Sequence, residues 1–181
     1  HRTPPPLETL YQEARQANQI LGAVLDTMPI GAVICDAEGS FLTTNAAGEA
    51  ILGRRMQGAV ERPRCDYALL TPAGAELASE NLPLVRALHA GEVVLNVELQ
   101  LRRPAAPERW VLVSAAPIND EEGQLIGGIQ LLPDITRRKE AEALTATLLQ
   151  QLERERRELK ALNKILDQER QKLQIIMEHT P

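Results

Sequence analysis

The residues able to do chemistry in this chain are few and scattered. Its three histidines, His1, His89 and His179, and its two cysteines, Cys35 and Cys65, show none of the Cys-x-x-Cys or Cys/His spacings that hold a metal, so no metal site is expected. There is no glycine-rich phosphate loop, no Gly-x-Ser-x-Gly elbow and no His-Glu-x-x-His pair. No catalytic residue is assigned, and the chain is not expected to be an enzyme. The polar residues that remain point to hydrogen bonding and charge. Asn45 follows a short apolar run, where it can cap or tie a turn. Asp134 and Thr136 open a long charged segment, where each can accept a hydrogen bond from backbone N–H groups at a helix start. Arg137, Arg138 and Lys139 then place positive charge in the first turn, against the helix dipole, as a movable joint or a solvated basic patch would.

The elements that must position these groups are legible from periodicity. Leu7, Leu10, Tyr11, Ala14, Ala17, Leu21, Val24, Leu25 and Met28 recur at helical steps after the Pro4–Pro6 block, and Pro29 and Gly31 stop the helix. Ala32–Cys35 and Phe41–Thr44 flank Asp36-Ala37-Glu38-Gly39 and predict two short strands in a hairpin. Ala46–Leu52 reads as a short helix closed by Gly53, and Leu82–Ala90 as a second one ending at Gly91. Between them, Arg54 to Ala78 reads mostly as loop. Val93–Leu101, Trp110–Pro117 and Leu125–Leu132 are strand-like runs separated by turn-forming residues, which predicts an antiparallel meander and an α+β domain.

From Arg137 onward the composition shifts to Glu, Arg, Lys, Gln and Leu, with no glycine or proline before Pro181, which predicts one long helix. Leu152, Leu159, Leu166 and Leu173 fall seven apart. Leu148, Glu155, Leu162, Glu169 and Ile176 supply the companion positions of a heptad seam. A parallel two-stranded coiled coil is expected, with a helix packed on its own domain as the alternative. Glu155 and Glu169 would face their like across the dimer axis, where they repel or take up protons, so the coil is marginal.

The chain has 181 residues, 44% of them hydrophobic, and a net charge of −5, enough for one core and too acidic for a broad basic surface. Nucleic acid and anionic membrane are therefore not expected partners. Cysteine usage fits a reducing compartment, and no apolar run approaches the roughly 18 residues of a membrane span. A cytoplasmic location follows as the expectation, with the parent protein free to be anchored elsewhere.

The order of elements and their punctuation resembles the PAS domain family over about residues 21 to 142. The matching pieces are Met28-Pro29-Ile30-Gly31, Asp36-Ala37-Glu38-Gly39, Asn45-Ala46-Ala47 with Ile51-Leu52-Gly53, and Leu82-Pro83-Leu84 with Gly91-Glu92. Ala116-Pro117-Ile118 with Gly123, and Asp134-Ile135-Thr136 with Glu140-Ala141-Glu142, complete the set. The resemblance implies a five-stranded antiparallel sheet with short helices on one face and, in some members, a small-molecule pocket between them. That pocket would lie near Asn45, Ile51 and Leu84. It also implies a signalling joint at Asp134, Ile135 and Thr136, against which Trp110 would pack. The domains expected are a linker helix over 1–28, the PAS domain over 29–136 and a signalling helix over 137–178. Residues 179–181 would open a following PAS domain, because aligning Pro181 with Pro29 places Leu173 on Leu21 and Ile176 on Val24.

The functional expectation is a sensory and dimerisation module. It pairs through its flanking helices and relays signals between adjacent domains of the parent chain to an output domain outside it, a histidine kinase first among these. The alternative is a sensor with a ligand or cofactor in the pocket, and catalysis by the chain itself stands third. No cofactor is expected. His89 sits at a helix end rather than where haem-binding members carry their ligand. Neither cysteine lies in the Asn-Cys-Arg-Phe-Leu stretch of flavin-binding members, and aromatic residues make up only 2% of the chain.

Overall fold

The computed structural model describes residues 7–53, 67–104 and 106–178, and it divides into two units, one ending at Thr136 and the other beginning at Arg137. Cys65, the Pro4–Pro6 block and residues 179–181 lie outside the described residues, as does the side chain of Ile176.

The first unit opens with α1 (Leu7–Thr27), none of whose residues is buried. Strands β1 (Gly31–Asp36) and β2 (Phe41–Thr44) form the expected hairpin. Asp36 builds its turn by accepting the Ser40 N–H on Oδ1 at 2.7 Å and the Gly39 N–H on its carbonyl at 3.1 Å. Gly39 has φ +83°, a left-handed value that glycine adopts without strain. Then follow α2 (Ala46–Leu52), β3 (Ala68–Leu70), a 3-10 turn (Ser79–Asn81) and α3 (Pro83–Ala90), which has proline in its first turn. Strands β4 (Val94–Arg102), β5 (Arg109–Asn119) and β6 (Leu125–Leu132) complete the sheet. The second unit is formed by α4, whose helix runs Thr136–Glu178.

The sheet is antiparallel throughout, in the order β2-β1-β6-β5-β4-β3. It has six strands, not the five expected. The additional strand, β3, falls in the stretch read as loop, because three residues are too few to display a two-residue period. Pairing makes it a strand: Ala68, Leu69 and Leu70 face Arg102, Leu101 and Gln100 of β4, and Leu69 accepts the Leu77 N–H at 2.9 Å.

Alternation along β5 sends Val111, Val113 and Ala115 inward. Val111 and Val113 join Val33, Leu99, Leu101 and Leu132 from the other strands, and Ile51 and Leu52 from α2, in the main core, while Ala115 packs with Ala87 and Val94 in a smaller one. Gly128 on β6 lets α3 lie close on the sheet. A Cβ there would stand 3.0 Å from Leu84 and 3.1 Å from Leu88, tighter than side chains normally pack.

One side chain joins α1, β1 and α2. Asn45 is 3% exposed and makes four hydrogen bonds, each of 2.8 Å. Its Oδ1 accepts the N–H groups of Ala32 and Gly48, capping α2 and fixing the start of β1. Its Nδ2 donates to the carbonyls of Leu25 and Ile30, holding the chain between the end of α1 and β1. The amide has two donors and two acceptor sites, and all are used. Asn45→Ala would leave four backbone groups unpaired in or near the core. We expect a loss of about 3 kcal/mol, measured as a fall in the denaturant midpoint with unchanged m-value.

Candidate functional site

Two features of the first unit could carry a signal: the segment that closes the sheet at Asp134–Thr136, and a cavity beneath α3.

The closing segment continues the ladder of β5 past the end of β6. Leu112 N–H donates to the Pro133 carbonyl at 3.0 Å, and Val111 bridges to Asp134. Ile135 N–H donates to the Trp110 carbonyl at 2.8 Å, while Trp110 N–H donates to Thr136 Oγ1 at 3.0 Å. Asp134 caps the following helix locally: its Oδ1 accepts the Thr136 N–H at 2.9 Å and the Thr136 hydroxyl at 2.6 Å. Its other oxygen, Oδ2, accepts from Arg109 Nη1 at 3.0 Å. Ile135, between them, is buried. Both backbone groups of Trp110 are thus engaged with this segment, while its indole is part-buried.

Arg109 is the member of this cluster that sequence reasoning missed. It stands 25 residues before Asp134, and only the pairing of β5 with the closing segment brings the two together. Burial alone would raise the Asp134 carboxyl. The hydrogen bonds from Thr136 and the charge and hydrogen bond of Arg109 outweigh it and hold the group below its usual range.

The cavity has a volume of about 360 Å³ and lies between α3, the β1–β2 hairpin and the inner face of the sheet. Its walls are mainly apolar: Val33, Phe41, Leu69, Leu82, Leu84, Val85 and Leu88, with Tyr67. Glu38 and His89, both exposed, stand at its rim. Gln130 of β6 also lines it. That residue is 7% exposed. No pattern marked Gln130 in the sequence, where it is one polar residue in an apolar strand.

Of the residues expected around a pocket, Leu84 lines this cavity, Ile51 packs in the core, and Asn45 is saturated by its four backbone bonds. Cys35 is fully buried, with Sγ 3.6 Å from the Gly128 carbonyl, and burial pushes its thiol up, which suits a small apolar filler rather than a nucleophile. Among the described residues no cluster of three or more His, Cys, Asp or Glu could hold a metal, and no helix is long and apolar enough to cross a membrane.

Along α4, Leu148, Leu152, Leu159, Leu162, Leu166 and Leu173 are between 52 and 62% exposed. Glu155 and Glu169 are exposed as well, and Glu169 pairs within its own helix with Lys172 at 3.0 Å.

An antiparallel sheet with short helices over one face, closed by an Asp-Ile-Thr segment, is the frame of a sensory domain. The chain belongs to the PAS-fold family, whose model matches residues 25–140, more than half of its length. No curated protein matches it. Among solved structures it is similar to an RNA-binding Light-Oxygen-Voltage receptor, at 18% identity and a TM-score of 0.54, covering 83% of this chain and 41% of that one. It is also similar to a chain of the DhaR(N)–DhaL complex of E. coli (19% identity, TM-score 0.49, 69% of this chain and 38% of that one). A third is the PAS domain of Bordetella pertussis BvgS (18% identity, TM-score 0.46, 76% and 98%). The chain thus spans about two fifths of the length of the first two.

The pH dependence of the closing segment follows from Asp134. A carboxyl lowered by folding contributes stability that is complete above its unfolded value, about 4, and is lost as pH falls through the folded one. Asp134→Asn is therefore expected to cost about 1 kcal/mol at pH 7. That difference should stay flat between about pH 5 and 8 and shrink below about pH 4, as denaturant titrations at each pH would show.

Proposed function

We propose that this PAS domain is a relay that works as a homodimer and passes signals between adjacent domains of its parent chain. Output would come from a domain outside this chain, of the histidine-kinase kind that the sequence resemblance implies, and no catalytic step is assigned here. The observation that carries the reading is the knot at Asp134. β5 lies inside the sheet, and its first residues, Arg109 and Trp110, hold the residues that start α4 through side-chain and backbone bonds together. A shift of β5 against its neighbours would therefore reach Thr136 directly, because the intervening bonds are short and mutually supporting. The exposed leucine seam of α4 supports the dimer, since a solvated stripe of that length gains stability only by pairing.

The Gln130 amide on the cavity wall supports a second reading, in which the cavity takes a small ligand. A polar group on an otherwise apolar wall offers such a ligand one hydrogen-bonding partner. An uncharged compound with an apolar body and one hydrogen-bonding edge suits these walls.

For the relay, light scattering of the whole chain at tens of micromolar is expected to give twice its 20.0 kDa mass, and Leu159→Glu with Leu166→Glu to give the monomer. A monomeric unsubstituted chain would remove the dimer from the proposal. For the cavity, Gln130→Leu should leave the ligand-free protein as stable or up to about 1 kcal/mol more stable. A loss of more than about 1 kcal/mol would show that the amide is bonded within the protein and would sink the ligand reading.

A further inference from the structure

We infer that α4 pairs with a second copy of itself in parallel and in register, and that the acids in its seam are neutralised across the dimer by the arginine following each one. The inference rests on the dimer proposed above and adds its register and the residues that fix it.

In the heptad frame, Leu152, Leu159, Leu166 and Leu173 occupy position a, and Leu148, Glu155, Leu162 and Glu169 occupy position d. Position e then falls on Leu149, Arg156, Asn163 and Arg170. Arginine thus occurs at e where d is glutamate and nowhere else along this stretch. The Glu-Arg step repeats at an interval of two heptads.

Within one helix this arrangement is satisfied only in part: Glu169 pairs with Lys172 at 3.0 Å, whereas Glu155 has no cation in reach. Adjacent residues on a helix do not face each other, so Arg156 is poorly placed to pair with its own Glu155. The residues three and four away from Glu155 are Gln151, Leu152, Glu158 and Leu159, none of them a cation. The charges off the seam do find partners: Arg154 with Glu158 at 3.2 Å, and Arg157 with Glu153 at 3.4 Å. Among the described residues, Glu155, Arg156 and Arg170 make no ion pair, and all three are exposed.

A second copy supplies what is missing. In a parallel, in-register pair, a d side chain packs into a hole whose walls include d and e of the facing helix. Glu155 then meets Arg156 of the second copy and Glu169 meets Arg170, each contact occurring twice by the two-fold symmetry. Each guanidinium then flanks the pair of glutamates that would otherwise repel. Antiparallel pairing sets e opposite e, which brings arginine toward arginine, and a shift by one heptad sets each Glu-Arg step against Leu148-Leu149, Leu162-Asn163 or Ile176-Met177, none of them charged.

The test uses the whole chain. Arg156→Ala with Arg170→Ala is expected to raise the dimer Kd at least tenfold at low salt, on the order of what a few exposed ion pairs contribute, with the difference closing near 1 M salt. Adding Glu155→Gln and Glu169→Gln to that variant should restore the dimer, since the uncompensated acids are then gone. Leu152→Cys and Leu173→Cys should each crosslink to itself on oxidation, with the unsubstituted chain controlling for Cys35 and Cys65. A dimer whose Kd ignores the arginines, or crosslinking only between the two cysteine variants when mixed, would overturn the inference while leaving the dimer in place. A chain that stays monomeric at every concentration would remove the dimer itself.

Discussion

The four hydrogen bonds of Asn45 are the constraint on which the rest of the first unit depends. One amide caps α2, sets the start of β1 and fixes the chain leaving α1, so three elements take up one arrangement. The geometry tolerates little else, because a buried polar network is favourable only when every member is satisfied. Its neighbour Gly48 shows the same tightness. A Cβ there would lie 2.7 Å from Thr44 Cγ2, which keeps the first turn of α2 closed against the strand.

At the opposite end of the unit, the same strategy is applied with charge. Asp134 gathers the Thr136 hydroxyl and N–H and the Arg109 guanidinium, and Trp110 gives both of its backbone groups to the segment. The two knots differ in what they can transmit. Asn45 is sealed in the interior and bonded only to backbone, so it holds position. The Asp134 cluster is partly solvated and built from side chains of β5 and of the closing segment, so it can shift with the strand at modest cost. Its carboxyl is held below the usual range by Thr136 and Arg109, against the opposing effect of burial.

Between the knots, the inner face of the sheet is divided. Toward α2 it is closed by Ile51, Leu52 and the strand residues packed against them. Beneath α3 it leaves a cavity with a single buried amide. Filling that space with aliphatic side chains would add buried apolar contact, so the cavity is a departure from the best-packed core.

Local chemistry made much of this legible beforehand. Helical periodicity, the Asp36–Gly39 turn, the caps at Asn45, Gly53 and Gly91, and the unbroken last helix all depend on residues within a few positions of each other, and a sequence displays those relations directly. The order of these signals also disclosed the family, because turns and caps mark where each element stops. The tertiary structure alone decided the remainder. Three residues became β3 because β4 offered an edge to pair with, Arg109 met Asp134 because β5 and the closing segment run side by side, and Gln130 turned into a cavity because of its parity on β6. Each of these rests on strands brought together across long stretches of chain. No local period encodes that pairing, since the register of an antiparallel sheet is set by the whole core at once.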